Sequence, residues 1–328
     1  MKRRQLLVTA TGGGTALIAG CSGEESDDSA TTQKETDTPA GETTNERLRA
    51  AAEEMESAES KINTESDKFT DSSLDSGQGV SIQTATILSE LDAASTELDA
   101  AEQGAISEQQ DAINAARNWI SFARATTEFL GLFADGYNEF TTANTYFESE
   151  RYSDATGTLD TAQENFESAD SQLTIVQDRQ ESLTEMDHEA FENITLSTTP
   201  ADIEQLESIL ETLIPFIGGY RQMTLGFEGF IIASESLENR DYADAESEYR
   251  DAEDHFTSAE TRIRGLEESA PPSLRNSVIE LTSIAGTLEE SAGHYATGSE
   301  YYANGDTRAG DQEFKKGEKA LEKYNSEN

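Results

Sequence analysis

The sequence predicts an all-α fold built of long antiparallel helical hairpins, and three observations predict it. After residue 45, apolar residues recur at three- and four-residue steps, the period of one helix face. An internal repeat sets a helix, a short acidic turn and a second helix in each copy. Within the second helices, large and small residues alternate by heptads, as closely packed helices require.

Charge narrows the function before any motif is read. The chain has 66 acidic and 23 basic residues, a net charge of −43. A field of that sign repels a phosphate backbone, which argues against nucleic acid as a partner. The charge is spread along periodic segments and not gathered in blocks, as on the solvated face of a helix. With 15 Arg, 8 Lys and acids at a fifth of positions, the composition resembles that of proteins from salt-loving archaea. Screening supplies the logic: in ~1 M salt the Debye length is about 3 Å, so self-repulsion largely vanishes.

The N-terminus reads "MKRRQLLVTATGGGTALIAGC". Lys2, Arg3 and Arg4 precede a weakly apolar stretch, Leu6 to Ala19, which falls short of the roughly 20 residues needed to span a bilayer. Residues 1–20 therefore read as a signal peptide. Arg3 and Arg4 followed by Gln5, Leu6 and Leu7 resemble a twin-arginine export signal, with Leu6 where that family usually has Phe. Ile18-Ala19-Gly20-Cys21 resembles a lipobox, which implies lipid on Cys21, the only cysteine of the chain. Two buried acyl or prenyl-type chains, at about 0.8 kcal/mol per CH₂, would hold such a protein on a membrane. The expected location is the exterior face of the cell membrane. Residues 21–45 follow as the lipidated cysteine and a Ser/Thr/acid-rich tether.

Residues 46–105 form the first helical hairpin. Leu48, Ala51, Met55, Ala58, Ile62 and Phe69 make one stripe; Ile87, Leu91, Ala94, Leu98 and Ala101 make the other. Ser107 and Gln110 fit a capping box that opens a third helix, running to about Glu148. Thr199-Pro200 opens another, which Pro215 with Gly218-Gly219 is expected to kink. "APPS" at 270–273 separates the last helical pair.

The repeat lies within residues 106–328, with copies near 137–185, 227–268 and 292–326. Residues 140–169 align to 230–259 without gaps, with ten of thirty positions identical, among them Phe140/Phe230, Tyr152/Tyr242, Ala162/Ala252 and Phe166/Phe256. A fainter third copy begins 65 residues on and carries Gly298, Tyr301, Gly310, Phe314 and Gly317. "RYSDATGTLDTA" and "RDYADAESEYRDA" resemble the Tyr-x-x-Ala-x-x-x-aromatic/Leu-x-x-Ala signature of tetratricopeptide repeats. The tryptophan position of that family holds Glu139, Gly229 and His294, and the copies are not 34 residues apart. The resemblance implies packed hairpins and a protein-binding role, with the first helix of each pair lining a groove. Groove positions would be Tyr137/Phe227, Phe140/Phe230/Tyr295 and Phe147/Leu237/Tyr302. These side chains either pack against neighbouring hairpins or form an apolar surface for a partner, with Leu237 and Tyr302 as its exposed members. Tyr302 is expected to be more open than Tyr301, which matches the packing tyrosine of the family.

No catalytic or metal-binding constellation is expected, and no cofactor. His188, His255 and His294 are far apart, and "HEAFE" has Glu192 where a zinc-protease motif needs its second His. No serine sits in a G-x-S-x-G elbow, and Trp119 reads as core. Asn193-Ile194-Thr195 is a glycosylation sequon whose use the sequence leaves open. The expected function is a membrane-anchored helical-repeat lipoprotein, not an enzyme, that binds proteins or organises the envelope. The alternative is a solute-capturing lipoprotein that partners a transporter.

Overall fold

The computed structural model describes residues 44–70, 79–186, 188–194 and 200–327. The signal with Arg3 and Arg4, the lipobox cysteine Cys21 and the tether lie outside them. The described residues form eight α-helices and no strand: α1 (Thr44–Thr70), α2 (Thr84–Glu102), α3 (Ser107–Glu148), α4 (Tyr152–Glu181), α5 (Pro200–Asn239), α6 (Tyr242–Arg264), α7 (Pro272–Ala303) and α8 (Thr307–Glu327). One 3₁₀ turn, Glu189–Phe191, lies between α4 and α5. The fold is all-α, as the periodicity predicts.

Each helix packs mainly on its neighbours in sequence, and α1 also reaches α3 and the 3₁₀ turn. Every residue of the two stripes read for the first hairpin is buried, from Leu48 and Phe69 on α1 to Ile87 and Ala101 on α2. The core runs on from Leu48 to Leu321, with Trp119 inside it. At 42 residues α3 is about 63 Å long. The first hairpin packs along α3 as far as Asn138, and α4 with its end packs along it from Asn118 upward, so the two overlap over the middle of the helix. Phe133 joins the two, meeting Phe69 of α1 edge-on at 4.9 Å and Phe166 of α4 at 5.3 Å. Both ends of this bundle are tied by side chains. Gln109 Nε2 donates to Asn45 Oδ1 at 2.6 Å where α1 and α3 begin, and the Val80 N–H donates to Asn138 Oδ1 at 2.7 Å near the other end.

One local expectation needs correction. The cap of α3 is Ile106 and not Ser107. The Ile106 backbone is extended, and its N–H donates to Gln109 Oε1 at 3.1 Å. Isoleucine has no side-chain oxygen, so only the backward half of a capping box forms, one residue earlier than Ser107 and Gln110 suggest. The helix α5 runs on through Pro215. Pro215 removes one N–H donor, but the helix keeps its apolar packing on both sides through Leu213 and Ile217.

Candidate interaction surface

The three repeat copies become the hairpins α3–α4, α5–α6 and α7–α8, and their turns share one backbone solution. Glu150, Arg240 and Gly305 occupy equivalent positions with φ of 59°, 67° and 86°. The following N–H groups, of Arg151, Asp241 and Asp306, each donate at 2.9 Å to a carbonyl five residues back, on Tyr146, Ser236 and Tyr301. This is the left-handed helix stop that satisfies carbonyls at the end of a helix. Glycine adopts it without strain; Glu150 and Arg240 do so at a cost of about 1–2 kcal/mol each. Because consecutive helices alternate in direction, all three tips lie at the end of the array opposite Thr44.

Between hairpins runs an aromatic seam. Phe147 meets Tyr220 and Phe227 at 5.6 and 5.1 Å, and Phe140 meets Tyr220 at 5.7 Å. Phe230 meets Tyr249 and Tyr295 at 5.0 and 5.4 Å, and Tyr295 meets Phe314 at 5.5 Å. These are the positions a groove would need, and they are engaged by the next hairpin. Tyr302 follows suit, 5.1 Å from Tyr242 and 5.4 Å from Phe314, with its hydroxyl donating to Asp311 Oδ1 at 2.5 Å. Leu237 is half-buried against the core. The expected order of the two tyrosines is reversed: Tyr301 is 39 % exposed, whereas Tyr302 is half-buried. The reason lies across the seam. Gly310 stands where the earlier copies have Ala155 and Ala245, and a Cβ there would fall 2.2 Å from the Tyr302 ring. A missing methyl on the facing helix was the sequence signal for a buried ring at 302.

Burial sets the electrostatics of the seam. It pushes the phenols of Tyr152 and Tyr249 up to about 12, and raises those of Tyr220 and Tyr295 as well. Between α6 and α7, Gly286 and Gly293 leave room for the carboxylates of Glu260 and Glu253, each 2.7 Å from where a Cβ would stand. Burial, reinforced by these two carboxylates, raises the Glu289 carboxyl above its ordinary range.

The histidines have structural partners. Nδ1 of His188 accepts the Ala190 N–H at 3.1 Å and so caps the 3₁₀ turn, His255 pairs with Gln222 at 2.9 Å, and His294 with Glu313 at 2.9 Å. No group of three His, Cys, Asp or Glu side chains is arranged to hold a metal among the described residues. Asn193 is exposed in the turn after the 3₁₀ segment. That turn lies beside the start of α1, where Arg49 meets Glu189 at 3.0 Å.

Several of the chain's scarce cations act as cross-links between elements. Arg47 holds Glu97 at 2.7 Å, Arg117 holds Asp99 and Glu102 at 2.7 Å each, and Arg250 reaches Glu300 at 3.5 Å. Lys61 pairs with Glu90, Arg124 with Asp92 and Arg221 with Asp160. The Arg117 hydrogen bond holds the Glu102 carboxyl below its ordinary range. Among the described residues no helix is long and apolar enough to cross a membrane.

No protein-family model, curated protein or solved structure matches the chain. The fold and the sequence therefore carry the functional reading by themselves.

Proposed function

We propose that this protein is an exported lipoprotein, held on the outer face of the cell membrane through Cys21, whose helical array is a scaffold for protein contacts. The observation that carries the reading is an order along the chain. A basic start, a short apolar run and a lipobox-like Cys21 precede a polar tether, and the tether leads into a stack of three hairpins with matching tips. The stack resembles tetratricopeptide hairpins in its Tyr-x-x-Ala spacing, although its aromatic groove positions pack internally. Thr44, where the tether ends, lies at one end of α3, and the tips lie at the other, about 60 Å away. In this reading the tips at 149–151, 239–241 and 304–306 face away from the membrane, and Asn193 lies on the membrane side.

Cell fractionation tests the reading. Cys21→Ser is expected to release the protein to the medium or leave its precursor uncleaved, and replacement of Arg3 and Arg4 by Lys is expected to block export. A serine variant that stays with the membrane at wild-type levels rejects the anchor. Crosslinkers placed at Glu150, Arg240 and Gly305 in intact cells then test the scaffold role, which fails if no protein is captured at any tip.

A further inference from the structure

We propose that copies of this chain associate head to tail, with the outer face of α8 on one copy seated against the outer face of α1 on the next. The two helices are the first and last described elements of the array, so each has a face that no hairpin covers. Their exposed faces differ in charge: a basic stripe on α8 has Asp311 and Glu322 beside it, and an acidic stripe on α1 includes one cation, Arg49, which is paired with Glu189. On α8, Arg308, Lys315 and Lys319 are exposed and form a single stripe, opposite the buried Gly310, Gly317 and Leu321. Among the described residues none of the three cations makes an ion pair, in contrast to the cross-linking arginines described above. On α1, Glu46, Glu53 and Glu56 are exposed along one side, opposite the buried Leu48, Met55 and Ala58.

The two stripes match in length. Arg308 to Lys319 spans about 16 Å of helix and Glu46 to Glu56 about 15 Å. The helix α8 holds five acids and five bases, whereas the equivalent α6 holds seven acids and three bases. This makes α8 the helix best suited to approach an acidic surface. The pairing would also repeat a rule already present inside the molecule. Arg221 crosses from α5 to Asp160 on α4, and Arg250 from α6 to Glu300 on α7. An antiparallel α8–α1 contact continues the alternation of the array and leaves the N-terminus of every α1 at the same end. Such a contact is heterologous, so it extends into a ring or filament and does not close as a dimer. Long-range repulsion between copies fades beyond about 8 Å in 0.15 M salt, while contact pairs sit well inside that distance. The proposal does not depend on the lipid anchor, although anchoring raises the effective concentration of neighbours.

Sedimentation velocity of the full-length chain over a range of concentrations tests this. The wild type is expected to form a concentration-dependent series of species. The double reversal Lys315→Glu with Lys319→Glu should weaken that series roughly tenfold, and Glu53→Lys with Glu56→Lys should do the same. Mixed together, the two variants should recover the series as an alternating one, because the α8 of each then meets opposite charge on the α1 of the other. Recovery on mixing distinguishes a lost contact from a damaged fold. A wild type that stays monomeric at every concentration overturns the proposal, as does a series that both reversals leave unchanged. Binding of the wild type to anionic phospholipid vesicles that Lys315→Glu and Lys319→Glu abolish, without self-association, assigns the stripe to the membrane and also overturns it.

Discussion

The second and third hairpins solve the same packing problem with different residues. In α5–α6 the aligned positions are Leu237 with Ala245, and Phe230 with Ala252. In α7–α8 they are Tyr302 with Gly310, and Tyr295 with Gly317. Each larger ring in the third copy stands opposite a glycine, and a Cβ at Gly317 would fall 2.8 Å from the Tyr295 ring. Volume across the seam is conserved although its location moves from one helix to the other, the kind of exchange that close-packed interiors tolerate. The turn differs too, with Arg240 in one hairpin and Gly305 in the other. So does one hydrogen bond. Ser234 pairs with the Tyr249 hydroxyl at 3.0 Å, whereas the equivalent Ser299 is fully buried without a partner, because Phe314 replaces the tyrosine. The third copy has traded polar satisfaction and side-chain bulk on its second helix for aromatic area on its first.

The largest test removes the big residue from equivalent places. A Cβ at Gly226 would sit 2.6 Å from the Phe256 ring, so that ring alone fills its pocket. Phe256→Ala is expected to cost about 3–5 kcal/mol in denaturant unfolding, and Leu321→Ala, near the end of the chain, less than that. Equal losses would mean that the two hairpins are equally central to the core.

Alkali probes one position of the comparison next, Tyr249 against Phe314. The phenol of Tyr249 is raised from its ordinary value of about 10 to about 12 by burial, so the folded state disfavours its ionised form. Its contribution is fully present below pH ~10 and is lost as pH rises through about 12, a change of order 2–3 kcal/mol. Phe314 has no such proton. Tyr249→Phe should therefore flatten the decline of helical circular dichroism between pH 10 and 12; an unchanged profile would place the alkaline transition elsewhere.

Gly310→Ala probes the exchange of volume. The new methyl must displace the Tyr302 ring and approaches Gly298 O to 3.0 Å, which outweighs the helix propensity gained. A loss of about 1–3 kcal/mol is expected. Adding Tyr302→Leu, which restores the pairing of the second hairpin, should recover most of it. Additive losses in that double variant would refute compensation.

At the turns, Arg240→Gly should stabilise by about 1 kcal/mol by relieving a left-handed residue, and Gly305→Arg should lose a similar amount. The smallest effect is expected from Phe314→Tyr, which offers Ser299 the bond that Ser234 has. A gain of about 0.5–1 kcal/mol in thermal unfolding is expected.

The same comparison explains how much was legible in the sequence. Helices and their buried stripes follow from periodicity, because Leu48, Met55 and Ile87 needed only a face to be placed. Two of the turns follow from the gapless alignment, and the third from the fainter copy 65 residues on. The exposure of Tyr301 and Tyr302 did not follow, because two adjacent rings lie about 100° apart and the facing helix decides between them. Gly310 carried that decision, and family resemblance pointed to the other tyrosine. Pairing of charges across helices, such as Arg221 with Asp160, was equally hidden. It depends on which surfaces meet, and no single helix contains that information.

Phe133, wedged between Phe69 and Phe166, has a mechanical consequence. It sits on a helix common to the N-terminal hairpin's bundle and the first repeat, so no flexible joint separates them. A pull applied at Thr44 is borne along the α3 spine and through three interlocked rings into the stack. Under load the stack would tilt as a rigid lever before any one hairpin opened, and under the proposed anchoring, movement at the membrane would reach the distant tips as displacement.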